Sequence, residues 1–118
     1  SQGVAVARMA FDDRANPAGN VWKYYNGRWN EPGMGGRVTA ILPVTVGWEH
    51  PDTDALWGPA LHWNTYLEKY VMLLNRSCCE PGWPVGGIYV SFSSNLGEPH
   101  SWSAPQEILP ASESGWYP

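Results

Sequence analysis

The sequence is poor in charged side chains, and the charges it has are not clustered. Asp, Glu, Lys and Arg make up 15% of the residues, only 7 are Lys or Arg, and the formal net charge is -4. Nucleic-acid binding depends on clustered Lys and Arg that neutralise phosphates, so we expect no nucleic-acid partner. No apolar run reaches the length of a membrane-spanning helix, about 18 residues or more, so we expect no membrane partner either.

Cysteine is also scarce, because the chain has only Cys78 and Cys79, which are adjacent. Adjacent cysteines cannot link distant segments of a chain. They are either two free thiols in a turn or a disulfide that rigidifies a loop. The cysteine count therefore does not decide the redox compartment.

Motifs of several catalytic classes are missing as well. The sequence has no phosphate-binding loop, no nucleophile elbow, no dinucleotide fingerprint and no Cys/His set with zinc spacing. The first residues show no signal-peptide pattern, and both ends look cut. We interpret the chain as a fragment, or a naturally short product, of a longer repeat protein.

Trp, Tyr, Gly and Pro are abundant, with 8, 6, 13 and 11 residues among 118. So many Gly and Pro residues leave little room for long helices. Trp and Tyr suit pleated strands, and they also suit surfaces that bind flat ligands with polar edges, such as sugars. The composition therefore predicts an all-β chain.

The chain contains an internal repeat. Each copy has a short strand-like run opening on Gly, a Trp-x-x-Pro group and an Ile-Leu-Pro group. The first copy comprises residues 3–8, 29–32 and 41–43, and the second copy comprises residues 87–92, 102–105 and 108–110. A recurring small β unit is typical of stacked or radial architectures, in which each unit needs a neighbour to cover its apolar face.

Four antiparallel strands are predicted after residue 56. Residues 57–64 alternate, 69–75 are apolar in their middle, 88–93 alternate again, and 102–109 are interrupted by Pro105. The second strand should be covered on both faces, the third should be half exposed, and the last should lie at an edge. This order predicts a meander.

The same residues resemble a known family. In order they read WGPALHW, KYVML, GIYVSFS and a Trp-x-x-Pro group, which is similar to one blade of the five-bladed propeller glycosidases of the arabinanase, xylosidase and fructosidase types. The resemblance implies four-stranded antiparallel β-propeller blades, with the ring completed by other copies or by missing chain. The chain departs from the family at Ala60, where the family has a carboxylate, and at Asn95, where it has Asp.

The resemblance divides the chain into three segments. Residues 1–47 would supply the last strands of one blade plus a connector, with strands predicted at 4–9 and 37–42. Residues 48–110 would form one complete blade, and 111–118 would begin the next. Fewer than two blades leave apolar faces open, so we expect a homo-oligomer or a longer chain.

Candidate catalytic residues are carboxylates. The acidic cluster before the innermost strand holds Glu49, Asp52 and Asp54, and Glu31 stands where the second copy has Ala104. Glycoside cleavage needs two such groups, one of them with a raised pKa. A solvated turn is the alternative for the cluster. No cofactor or metal ligand set is assigned, although calcium at the Asp52-x-Asp54 pair is possible.

Candidate ligand-binding residues are those expected near the propeller channel or in exposed turns. His62 and Asn64 share one strand face and would donate to a sugar or stay in the core. Trp57 would contact ligand or pack between blades, and Trp83 beside a proline would stack on a sugar. His50 in the acidic cluster and Arg37 after the glycine run complete the set.

These observations predict a carbohydrate-active propeller protein of the glycoside hydrolase type, extracellular or periplasmic, that binds sugar at the channel mouth. It would be an enzyme if a complete ring is assembled. A non-catalytic lectin-like or scaffold module that oligomerises is the alternative, favoured by Ala60, and a β-sandwich is a third. Residues 75–77 match the N-glycosylation acceptor pattern, which occurs often by chance.

Overall fold

The chain folds as β-strands joined by turns and two short 3-10 helices, Phe11–Ala15 and Pro99–Ser101. The computed structural model describes residues 3–47, 50, 55–77, 82 and 84–113. The strands are β1 (Gly3–Val4), β2 (Ala7–Arg8), β3 (Trp22–Tyr25), β4 (Arg28–Pro32), β5 (Leu42–Pro43), β6 (Ala55–Asn64), β7 (Lys69–Ser77), β8 (Val85–Ser93) and β9 (Gln106–Pro110). Every strand pairing is antiparallel, so the all-β prediction is confirmed.

The largest sheet contains four strands in the order β6-β7-β8-β9, which is a simple meander. The predicted order of strands after residue 56 is therefore confirmed. Its second strand, β7, is buried on both faces, with Val71 6% exposed, Met72 4% and Leu74 fully buried. The continuous apolar run in the sequence indicated this burial, because a strand that has no polar face is covered by protein on both sides.

The prediction for β8 is wrong in one respect, since this strand is not half exposed. Ser91 is fully buried and Ser93 is 2% exposed. The residues after β8 fold back over these two serines and satisfy their hydroxyls. The Ser91 hydroxyl donates to the carbonyl oxygen of Ser103 at 2.6 Å, and the Ser93 hydroxyl contacts that of Ser101. Short polar side chains can be buried when each finds a hydrogen-bond partner.

A second sheet contains three strands in the order β2-β3-β4. Its β3–β4 hairpin turns at Asn26 and Gly27, the dipeptide favoured in two-residue hairpin loops. The strand predicted over residues 4–9 is wrong as a single element. It divides into β1, which pairs with β5, and β2, which pairs with β3.

Two further strand predictions extend too far. Of residues 37–42 only Leu42 lies in a strand, although the Ile41 amide donates to the Val4 carbonyl at 2.8 Å. The last strand begins at Gln106 rather than at 102. Pro105 has no amide hydrogen to give to a ladder, so regular pairing starts only after it.

The apolar core lies on one face of the four-stranded sheet. Met72 and Leu74 of β7 pack there against Ile41 and Leu42. Five partly buried residues pack against this cluster: Val4, Val6, Leu56, Tyr89 and Trp102. The core therefore joins residues of the first copy to the sheet that holds the second copy.

The two copies of the repeat pair in the same register. In the first copy Gly3 lies opposite Pro43 and Val4 opposite Leu42. In the second copy Gly87 lies opposite Pro110 and Ile88 opposite Leu109. The pairing of the glycine-led strand with the Ile-Leu-Pro group is thus the same in both copies.

Candidate functional site

The repeated tryptophans, one from each copy, line the same cavity. Trp29 lies on β4 of the three-stranded sheet, and Trp102 follows the second 3-10 helix. The cavity, here called the tryptophan cavity, has a volume of about 350 Å³. Its remaining lining is Val6, Ala7, Arg8, Leu61, Met72, Leu96 and Gly97. These side chains are mostly apolar, and within the described part of the chain the only charged one is that of Arg8.

Trp29 is positioned by the β3–β4 hairpin. It lies opposite Tyr24 in the ladder, and the two rings meet edge to face with centroids 5.5 Å apart. Tyr24 is only 6% exposed, and its other neighbour is the His100 ring at 5.3 Å. Because a buried ring holds Trp29 from the side, the indole is fixed before any ligand arrives.

Trp102 is held by hydrogen bonds on both sides along the chain. Before it, the Ser101 hydroxyl donates to the carbonyl oxygens of Glu98 at 2.7 Å and Asn95 at 3.0 Å. After it, the Ser103 amide donates to the Phe92 carbonyl at 2.8 Å, and the Phe92 amide donates to the Ser103 hydroxyl at 3.0 Å. The indole itself packs on the core cluster. The hydrogen bonds on both sides and the packing on the core together position the Trp102 indole.

Arg8 brings positive charge to the tryptophan cavity. Its guanidinium carbon lies 4.5 Å from the centroid of the Trp29 ring, a cation–π arrangement. Arg8 is exposed, and the strand β2 that carries it pairs with β3 next to the Trp29 hairpin. Trp29 and the cation that stacks on it therefore come from one sheet, whereas Trp102 comes from the segment after β8.

Two of the predicted site residues are brought together away from this cavity. Glu31 Oε1 lies 2.8 Å from Arg37 Nη2, with the side chains 15% and 69% exposed. The Arg37 guanidinium also lies 4.9 Å from the centre of the Tyr25 ring. Glu31 is thus held by a cation on the three-stranded sheet, and neither partner lines the tryptophan cavity.

Other predicted ligand-binding residues lie on or near the edge strand β6. His62 is exposed there, and His50 is exposed in the preceding turn. Asn64 ends the strand, and its Oδ1 accepts hydrogen bonds from the amides of Tyr66 at 3.1 Å and Leu67 at 2.8 Å. Trp57, 48% exposed, lines a separate cavity of about 450 Å³ with Val4, Ala55 and neighbouring residues.

Several predictions concern residues outside the described part of the chain. These are the carboxylates Glu49, Asp52 and Asp54, the possible calcium pair among them, the indole of Trp83, and Cys78 with Cys79. Among the residues that are described, no group of three His, Cys, Asp or Glu side chains could hold a metal ion. No helix within them is long and apolar enough to cross a membrane.

The acceptor pattern at residues 75–77 lies in the middle of the four-stranded sheet. Asn75 is 2% exposed, and neither its Oδ1 nor its Nδ2 has a hydrogen-bond partner in the described structure. A glycan on Asn75 is incompatible with this sheet, because there is no space at the amide for one. The motif match is therefore not a modification site of the folded chain.

Reasoning from the sequence missed Trp29, Trp102 and Arg8 as site residues. A signal was present, since Trp recurs in the same group of both copies. What the sequence could not show is that the two groups approach each other in space. That approach depends on how residues 94–105, here called the return segment, fold between β8 and β9.

No protein-family model, curated protein or solved structure matches this chain. The resemblance to propeller glycosidases therefore stays an inference from the sequence.

Proposed function

We propose that this chain is a carbohydrate-binding part of a β-propeller and that it binds sugar in the tryptophan cavity. The observation that carries the proposal is that Trp29 and Trp102, far apart in the chain, line one open cavity together. Small-molecule sites are concave and mostly apolar, with a few polar groups, and have volumes of about 300–1,000 Å³. At about 350 Å³ the tryptophan cavity has room for one or two sugar rings.

The chemistry of the lining suits a sugar. One face of a pyranose carries C–H groups that pack on an indole ring, while its hydroxyls need donors and acceptors at the rim. Leu61 and Leu96 are 51% and 41% exposed, so the apolar floor is open to solvent. The guanidinium of Arg8 supplies donors at the same place.

The propeller part of the proposal is supported by the meander and by the edge strand β6. Each blade of a β-propeller is a four-stranded sheet, and the order β6-β7-β8-β9 is compatible with that arrangement. Two large apolar side chains of β6 outside the tryptophan cavity are about half exposed, namely Trp57 and Trp63. Exposed apolar side chains on an edge strand are typical of a surface that packs against another unit. We therefore propose that other copies or additional chain complete the ring. A single monomeric species in light scattering would count against completion by other copies.

Sugar binding is favoured over hydrolysis for the described site. Hydrolysis needs two carboxyl groups flanking the bound sugar. Glu31 is paired with Arg37 and does not line the tryptophan cavity. Hydrolysis by Glu49, Asp52 and Asp54 stays a prediction, and release of reducing sugar from the ligands that bind would test it.

The test is calorimetric titration of the chain with a panel of neutral and acidic oligosaccharides. We expect Trp29→Ala and Trp102→Ala each to weaken binding about tenfold or more, because tryptophan anchors dominate contacts of this kind. Trp63→Ala is the matched control, since Trp63 is 47% exposed and does not line the cavity. Thermal melting monitors the fold of each variant.

Two outcomes would contradict the proposal. One is the absence of binding to any sugar of the panel. The other is a loss of binding in Trp57→Ala with none in Trp29→Ala or Trp102→Ala, which would move the site to the other cavity.

A further inference from the structure

Among the described residues, Arg8 is the single charged side chain that lines the tryptophan cavity. It stands on β2 with its guanidinium carbon 4.5 Å from the Trp29 ring centre. Stacking on an indole orients the planar guanidinium and leaves its N–H edge free to bind a ligand. Arg8 is thus pre-positioned as a donor at the point where a bound sugar would lie.

The donors of Arg8 are not used by the described part of the protein. Two other arginines do have polar partners: Arg14 Nη1 donates to the Phe11 carbonyl at 2.8 Å, and Arg37 pairs with Glu31. Arg8 has no hydrogen bond and no ion pair to any described residue, only its contact with Trp29. Its charge is therefore available to a ligand.

The charge of the cavity is opposite to that of the chain. The chain carries a formal net charge of -4, yet none of the Asp and Glu side chains that the structure describes lines the tryptophan cavity. A lone arginine among apolar side chains attracts an anion, and its fork of N–H donors matches the two oxygens of a carboxylate. A neutral sugar would leave this match unused.

We infer that the tryptophan cavity selects an acidic sugar, a hexuronate unit, whose carboxylate Arg8 binds through paired hydrogen bonds. The apolar face of the same ring packs on the tryptophans. This inference rests on the proposed function and adds to it the class of ligand and the residue that determines it.

The experiment compares each acidic oligosaccharide with its neutral methyl ester. Oligomers of galacturonate, glucuronate and mannuronate are titrated by calorimetry beside the same oligomers with methyl-esterified carboxyl groups. We expect at least one acid to bind about tenfold more tightly than its ester, as a hydrogen bond to a charged group allows. The preference should fall as salt is raised, because screening weakens it.

Two variants locate the effect. Arg8→Gln should abolish the preference for the acid, so that the acid and its ester bind with equal affinity. Arg14→Gln is the matched control, since Arg14 is also exposed and stacked on a ring, 3.8 Å from the Phe11 centroid, but lies outside the cavity. Both changes alter the net charge equally, so only a local contact separates them.

The outcomes distinguish this inference from the proposed function. Equal binding of acids and esters, or equal effects of Arg8→Gln and Arg14→Gln, overturns the acidic-sugar inference and leaves sugar binding in place. A preference for sulfated over carboxylated oligomers overturns it as well. If no sugar binds at all, the proposed function is wrong and the inference is wrong with it.

Discussion

Gly3 and Gly87 hold equivalent places in the two copies, and the structures built on them differ in extent. Both have positive φ, 124° and 135°, and both lie opposite the proline of an Ile-Leu-Pro group. In the second copy the glycine belongs to a strand of nine residues with a partner on each side. In the first copy it belongs to a strand of two residues with one partner.

The cause of this difference lies between the strand and the tryptophan. In the second copy nine residues lie between the run 87–92 and Trp102, whereas twenty residues lie between the run 3–8 and Trp29 in the first copy. The short connection of the second copy lets the Ser91 hydroxyl tie β8 to Ser103. In the first copy the position of Ser91 is taken by Ala7, which has no hydroxyl, and a 3-10 helix at Phe11–Ala15 separates β2 from β3. The same pairing of a glycine with the proline of an Ile-Leu-Pro group therefore occurs in a long strand in one copy and in a short strand in the other. The length of the strand depends on the segment that follows it.

The largest expected effect compares the leucines of the two Ile-Leu-Pro groups. Leu42 is 7% exposed and belongs to the core cluster, whereas Leu109 is half buried at the edge strand β9. We expect Leu42→Ala to lower the free energy of unfolding by about 2–4 kcal/mol, because truncation leaves a cavity in the core. Leu109→Ala should cost less than half as much. Urea denaturation of both variants measures the difference, and equal costs would show that the copies contribute alike to the core.

The next effect compares the two glycines. A Cβ at residue 87 would lie 3.0 Å from the Leu109 carbonyl oxygen, and at residue 3 it would overlap the Leu42 carbonyl oxygen. We expect Gly87→Ala to cost about 1–3 kcal/mol of global stability, since β8 cannot leave the sheet to relieve the strain. The added Cβ makes the closer contact in Gly3→Ala, but we expect β1 to separate from β5 without unfolding the rest of the chain, because it has two residues and one partner strand.

Hydrogen exchange separates these two responses. In Gly3→Ala the Ile41 amide, which donates to Val4, should exchange faster while the amides of β7 keep their protection. In Gly87→Ala the protection of β7 should fall together with global stability. The comparison fails if Gly3→Ala destabilises the whole chain more than Gly87→Ala does.

These expectations show what could be read from the sequence and what could not. The four-stranded meander was predictable, because alternation and a continuous apolar run distinguish half-buried from buried strands. The division of residues 4–9 into β1 and β2 was not, since alternation says nothing about which partner each half pairs with. The tryptophan cavity was not predictable either, because Trp29 and Trp102 meet only after the segment beyond β8 has folded back.

A smaller effect tests that return segment. Ser91→Ala gives the second copy the residue of the first. Ser91 is fully buried, and its hydroxyl donates to Ser103 at 2.6 Å, so we expect a loss of about 1 kcal/mol in the free energy of unfolding. Since Ser103 adjoins Trp102, sugar affinity should also fall. The effect on affinity is the informative part; lower stability with unchanged affinity would mean that Trp102 is held by its packing alone.

The smallest effect concerns the ion pair that the second copy lacks. Glu31→Ala gives the first copy the residue found at Ala104 and removes the contact of Glu31 with Arg37 at 2.8 Å. Arg37 is 69% exposed, so solvent screens the pair and we expect a cost of only about 0.5 kcal/mol. Sugar affinity should not change, because neither side chain lines the tryptophan cavity. A variant that binds sugar normally but loses a measured hydrolytic activity would restore Glu31 as a catalytic acid and place the reacting bond on the three-stranded sheet instead.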